Sequence, residues 1–223
     1  MPTISKENYL KAVFLYNNRG GEQMAGTTLI ANELNISKAA ISDMTRRLAE
    51  EGLLTYEKYK GMHLTPKGQS LALQVIRKHR LWESFLHKVL KMSWSEVHVE
   101  AERLEHHTSD YLIDKIDDYL GNPQYDPHGS PIPDAKGEMP PDRPLLPLAS
   151  AEVDGAYQIA HVHDRDPQMM NYLSRIGLVL NSKIKVLEKF DFDGCIHIEL
   201  NGQPTLLSEK IVEQIKVIPI EYV

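Results

Sequence analysis

Residues 27–65 read TTLIANELNISKAAISDMTRRLAEEGLLTYEKYKGMHLT, and their patterning decides the fold of the N-terminal third. Thr27 to Leu34 is long enough for one brief helix. Asn35-Ile36 supplies a turn, and Ser37 is the N-cap of a helix predicted to run to about Glu51. Ile41, Met44 and Leu48 recur at helical spacing as its core face, and Gly52 closes it. Leu53 to Thr65 splits into two strand-like runs about Lys60-Gly61, a hairpin signal. Working outward, Tyr9, Leu10, Val13, Phe14 and Tyr16 mark a preceding helix, capped by Ser5 and broken at Asn17 to Gly21. Helix, short helix, turn, helix, hairpin is the order of a winged helix-turn-helix.

Further along, Pro66-Lys67-Gly68 opens a helix over about 68–90, with Leu71, Val75, Leu81, Phe85 and Val89 as apolar markers. Met92-Ser93-Trp94 joins it to a second helix predicted from Ser95 to about Leu120. Residues 121–148 hold eight of the chain's 13 prolines and read as an extended linker. After it, strands at 155–162, 182–187, 195–200 and 215–218 alternate with turns at Asp193-Gly194 and Asn201-Gly202 and a short helix from Pro167 to Ile176. That pattern predicts a small β-barrel. The expected class is mainly α with a small β domain, divided into 1–70, 71–122, a Pro-rich linker 123–148, and 149–223.

Composition excludes several classes. Of 223 residues, 42% are hydrophobic and 25% charged, which is ordinary for a globular chain and excludes wholesale disorder. No apolar run approaches the roughly 18–20 residues that span a bilayer, so no membrane partner is expected. The opening MPTISKENYL has neither a basic n-region nor an apolar h-region, which points to the cytoplasm. A single cysteine, Cys195, excludes an intramolecular disulfide framework and a Cys-rich zinc site. The net charge of −6 speaks against nucleic acid until it is divided. Residues 1–70 carry +2, residues 71–120 carry −2, and residues 121–223 carry −6.

The one net-positive segment is the winged helix. Ser37, Lys38, Ala39, Ser42 and Asp43 lie near the N-terminus of its second long helix, where a recognition helix meets base edges. Ala39 suits a thymine methyl, and Ser42 donates or accepts. Arg46 and Arg47 follow one turn on, and Thr45, Arg46, Lys58, Lys60 and Lys67 suit phosphates. Taken singly, the arginines read as a solvated face and the wing lysines as solubility charges. In this order they point to double-stranded DNA.

Five of the ten histidines fall between 79 and 107. His79 and Glu83 are four apart, as are His98 and Glu102; Glu102, Glu105 and His106 follow at three and four. Residues at those spacings share a helix face. Imidazole with carboxylate suits manganese, ferrous iron, zinc, cobalt or nickel. Three readings fit: a metal-regulated DNA-binding protein, a helical di-metal enzyme, or a metal-independent winged-helix regulator whose His and Glu are a solvated face. An enzyme would leave the winged helix without purpose, and no nucleophile constellation or phosphate-cradling loop is present.

Three runs then carry a resemblance. They are His79-Arg80-Leu81-Trp82-Glu83, Val97-His98-Val99-Glu100-Ala101-Glu102-Arg103-Leu104-Glu105-His106, and Asp126-Pro127-His128-Gly129-Ser130-Pro131-Ile132-Pro133. With Glu57 to Thr65, they make the chain similar to the diphtheria toxin repressor-like family of metal-dependent transcriptional repressors, which includes the manganese transport regulators. The resemblance implies a metal-activated repressor of metal-ion homeostasis, not an enzyme. It implies a homodimer on a palindromic operator, dimerised by the helices after the wing, with an SH3-like, ferrous-transport A-type C-terminal domain. It places an ancillary metal site at His79, Glu83 and His98, and a primary site at Glu102, Glu105 and His106 with a first-helix ligand at Asn8, or Leu10 in the iron-type register. Glu102 stands where iron-type members have Cys, which favours manganese first and ferrous iron second. Lys11 stands where short manganese regulators have a further carboxylate, and Asp166 is the ligand expected from the C-terminal domain.

Overall fold

Helix α1 (Lys6–Asn17) buries Tyr9, Leu10, Val13 and Phe14, the stripe that the spacing predicts. This computed structural model describes residues 6–18, 25–57, 61–163 and 166–221; Ser5, the Arg19-Gly20-Gly21 part of the expected break, Lys58 and Lys60 lie outside them. Helix α2 (Thr27–Glu33) and helix α3 (Lys38–Glu50) follow, and Ser37 caps α3 by accepting from Ala40 N at 3.2 Å. Strands β1 (Leu54–Glu57) and β2 (Gly61–Leu64) pair antiparallel, and Ala25 adds a bridge to Met62. Thr65 then accepts from Gly68 N, and Pro66 fills the first position of α4 (Pro66–Lys88), where a missing N–H costs nothing.

The expected single helix over 95–120 is two. Helix α5 (Val97–Leu104) and helix α6 (Asp110–Leu120) are separated by the turn at Glu105–Thr108. Ser109 accepts from Leu112 N at 3.2 Å and starts a new helix, so the chain turns where an unbroken helix was expected. The start of α5 is governed by Ser93, whose amide donates to Glu96 at 2.9 Å, with its hydroxyl on the same carboxylate. Those bonds hold the Glu96 carboxylate below its usual range. Their contribution is therefore present above the ordinary glutamate pKa and fades as pH falls through the folded value.

Residues 122–145, expected as an extended linker, hold no helix but turn about Asp126 and Asp134, with a bridge between Tyr125 and Pro131, before β3 (Leu146–Pro147). Strands β4 (Ala156–Val162), β5 (Lys183–Lys189), β6 (Ile196–Leu200), β7 (Gln203–Leu207) and β8 (Ile215–Pro219) complete an antiparallel sheet in the order β3-β8-β4-β5-β6-β7. Its helices are α7 (Pro167–Arg175) and α8 (Glu209–Val212). Asn201 and Gly202, both at positive φ, form the two-residue turn between β6 and β7. Strand β7 escaped sequence reading because Pro204 and exposed Leu206 blur its alternation.

The described chain divides into two compact units. One comprises the chain to His79 with Glu105–Thr108 and Pro133–Glu138; the other comprises Arg80–Leu104, Ser109–Ile132 and the chain from Met139. The first has a core of Tyr9, Ile30, Ile41, Leu48, Leu53, Met62 and Ile76. The second has one cluster of Leu81, Ile113, Ile116 and Ile132, and a barrel core that includes Trp94. Among the described residues, no helix is long and apolar enough to cross a membrane.

Gly129 shows how tightly the second unit is joined. Its φ is +89°, and a Cβ there would stand 2.1 Å from the carbonyl oxygen of Ala160 on β4. Arg143, stacked on the Tyr125 ring, donates to the carbonyls of both Gly129 and Ala160 at 2.8 and 3.1 Å. Gly129→Ala is expected to lower unfolding free energy by about 2–4 kcal/mol, from left-handed strain plus overpacking. Gly121→Ala, at φ +77° with open space, is expected to cost only about 1–2 kcal/mol. Urea unfolding of the two variants checks the difference.

Candidate metal centre and nucleic-acid interface

Two buried glutamates organise the His/Glu array. In the second unit, Glu83 projects from α4 with no exposed side-chain surface. Its Oε1 lies 3.2 Å from His98 Nδ1 on α5, and its Oε2 lies 3.6 Å from His128 Nδ1. His128 is also fully buried, stacked on Trp94 at 5.3 Å between ring centroids. Its Nε2 lies 3.1 Å from the Trp94 carbonyl, which only accepts, so Nε2 carries a proton and Nδ1 is the ring atom turned toward Glu83. A metal-binding histidine has that arrangement.

Glu83, Asp126 and His128 each offer a ligand atom, all within 4.8 Å of one another and all buried. Asp126 also shapes the turn: its Oδ1 accepts from His128 N at 2.8 Å and Ser130 N at 2.9 Å. Arg80 approaches its other oxygen at 3.9 Å. Sequence reasoning missed His128 and Asp126 as partners of Glu83. The Asp-Pro-His-Gly run was visible, but helix periodicity cannot join residues so far apart in the chain.

In the first unit the centre is Glu105, in the turn after α5, with its side chain 0% exposed. His79 Nδ1 lies 2.6 Å from its Oε2, and His106 Nε2 lies 3.2 Å from its Oε1. Both are hydrogen-bonding or ion-pair distances, and donor atoms gathered this closely also suit a shared divalent ion. Lys11 on α1 donates to both Glu105 oxygens, at 2.8 and 3.0 Å. His106 Nδ1 lies 2.5 Å from Glu7 Oε2, so α1 brings a carboxylate here from the residue before Asn8. Asn8 is half-buried on the same helix, as is Glu102 on α5. Asp166 caps α7, accepting from Gln168 N at 2.8 Å and Met169 N at 3.3 Å. His79 and Glu83 lie one turn apart on α4.

Helix α3 turns Ser37, Lys38, Ala39, Ser42, Asp43, Arg46 and Arg47 outward. Ser42 donates to Lys38 O at 2.9 Å, which leaves its lone pairs outward. Arg46 pairs with Asp43 at 2.9 Å and Glu50 at 3.1 Å. Thr45 corrects the expectation of a phosphate contact. It is buried, its hydroxyl donating to Ile41 O at 2.8 Å and standing 2.5 Å from the Tyr9 hydroxyl. Position 45 belongs to the core stripe with Ile41 and Leu48. Burial pushes the Tyr9 phenol pKa up, with the Thr45 hydrogen bond acting the other way.

A winged helix followed by buried imidazole–carboxylate clusters defines a metal-dependent DNA-binding regulator. Residues 1–62 match the family model for the iron dependent repressor N-terminal DNA binding domain. Residues 65–134 match the iron dependent repressor metal binding and dimerisation domain, and residues 146–219 match the FeoA domain. The chain is 33% identical over 121 residues to the HTH-type transcriptional regulator MntR of Lysinibacillus sphaericus, over 54% of this chain and 84% of that one. It is 30% identical over 198 residues to the iron-dependent repressor IdeR of Mycobacterium leprae, over 81% and 82%. A solved manganese-dependent transcriptional repressor in complex with manganese superposes with a TM-score of 0.88 at 35% identity, covering 97% of this chain and 100% of that one. The chain belongs to the diphtheria toxin repressor-like family of metal-dependent transcriptional repressors, a family of DNA-binding regulators and not of enzymes.

In metal-free protein, Glu105→Ala leaves the Lys11 ammonium buried without its carboxylate. Removing one member of a buried pair costs about 3–5 kcal/mol. Urea unfolding in the presence of chelator is expected to show a loss of that order.

Proposed function

We propose that this chain is a cytoplasmic transcriptional repressor that binds palindromic DNA as a homodimer when loaded with a divalent metal, manganese first and ferrous iron second, and so controls metal-ion homeostasis. The observation that carries the reading is the pair of buried glutamates faced by imidazoles behind a winged helix. Among the described residues, the donors grouped around them are nitrogen and oxygen, which suits a hard or borderline ion. The proposed ligands are His79, Glu83, His98, Glu102, Glu105 and His106, with Asp126 and His128 beside Glu83 and with Glu7 or Asn8 from α1. The proposed DNA-facing residues are Ser37, Lys38, Ala39, Ser42 and Arg46, with the wing lysines Lys58 and Lys60.

Bound metal would add positive charge beside the buried carboxylates and would link the segments that carry its ligands. The protein's own part is mechanical. Helix α1 reaches the Glu105 turn through Glu7 and Lys11 and reaches α3 through Tyr9 and Thr45. A change of charge at Glu105 is therefore felt by the helix that holds the recognition helix. Helix α6 exposes Tyr111 (74%), Leu112 (46%) and Tyr119 (70%), an apolar face suited to pairing two copies.

The test is operator binding by fluorescence anisotropy, on a duplex selected from random sequence by the manganese-loaded protein. Manganese is expected to tighten binding by about 10- to 100-fold, the scale of an allosteric coupling. His106→Ala is expected to lose most of that response while keeping weak, salt-sensitive binding. Equal affinity with manganese and with chelator would sink the proposal.

A further inference from the structure

We propose that Lys11 is an internal cation that occupies the Glu105 site until a divalent ion displaces it. The proposal rests on the reading of Glu105 as a metal ligand, and it assigns to Lys11 the setting of the metal threshold.

The geometry is that of a closed pair. The Lys11 side chain is 10% exposed, and its Nζ lies 2.8 and 3.0 Å from the two oxygens of a carboxylate that is 0% exposed. Lysine is almost never buried unless a fixed carboxylate receives it. The same two oxygens face His79 and His106, so Lys11 stands on the face of Glu105 where the imidazole donors converge. An ammonium and a divalent cation compete for those oxygens, because like charges a few ångströms apart in a partly dry site repel strongly. That repulsion favours filling the site by exchange of one cation for another.

The helix allows that exchange. Tyr9, Leu10 and Val13 anchor α1 in the core, so the lysine's flexible four-carbon stem can carry the ammonium away while the helix stays packed. Two consequences follow. Without metal, the Glu105–Thr108 turn stays tied to α1 by Lys11, and the buried carboxylate remains compensated. With metal, part of the binding free energy is used to expel Lys11, so the site fills at a higher metal concentration than its other donors would set. Sequence alone presents Lys11 as the loss of a ligand; the structure presents it as a competitor for the site.

The experiment titrates manganese chloride by calorimetry into chelator-stripped full-length wild type, Lys11→Met, Lys11→Gln and Glu105→Gln. Glu105→Gln identifies the binding phase that belongs to this site. The two neutral Lys11 variants are expected to bind manganese in that phase at least tenfold more tightly than wild type. They are also expected to melt at lower temperature than wild type when metal-free, and to recover on adding manganese. Unchanged or weaker affinity in a folded neutral variant overturns the competitor role. Absence of any Glu105-dependent phase in wild type overturns the metal-ligand reading, and the proposal falls with it. Should neither neutral variant fold, the structure of manganese-loaded wild type decides. Lys11 Nζ beyond about 4 Å from both Glu105 oxygens supports the exchange, and an intact pair overturns it.

Discussion

A carboxylate taken out of water must be met by positive charge or by donors, or it will not stay ionised. This chain meets that constraint at Glu83 and Glu105, both with fully buried side chains, and again at Asp126, buried near Arg80. Much of the irregular backbone answers it. The turn between α5 and α6 places Glu105 and His106 side by side, and the turn that Asp126 nucleates sets His128 against Glu83.

The winged helix was legible because its signals are local. Ser37 as cap, Ile41, Met44 and Leu48 as stripe, and the paired strand runs each act over a few residues. The barrel strands with strict alternation were legible for the same reason, and β7 was not, because its outward residues are proline and leucine. The site was half legible. Histidine–carboxylate spacings on one helix show in a sequence, so His79, Glu83, His98, Glu102, Glu105 and His106 stood out. Glu7, Asp126 and His128 come from other segments, and no local period announces them. Thr45 misled because a polar residue among arginines looks exposed until its helical phase is followed into the core.

Helix α1 is the element common to both halves of the proposed function. One of its faces meets the Glu105 turn through Glu7 and Lys11, and Tyr9 meets α3. The Tyr9 hydroxyl also touches the sulfur of Met62 on β2, at 2.9 Å. Wing, α3 and the Glu105 turn thus bear on one helix of 12 residues. Coupling between ion and DNA needs no longer path than this within the first unit.

The proline-rich stretch also changes meaning once its contacts are known. His128 accepts from Val162 N at 2.9 Å, Trp94 donates to Pro127 O at 2.9 Å, and Asp134 gathers the amides of Lys136 and Glu138 at 2.9 and 2.8 Å. A segment so fastened would ordinarily lose much chain entropy on folding. Proline alters that balance from the unfolded side, since each ring has already removed freedom at φ, worth about 0.4–1 kcal/mol where the native angle suits it. Eight prolines between 123 and 147 therefore describe a strap stiffened before it docks. Its order comes partly from how few conformations the unfolded strap had to give up.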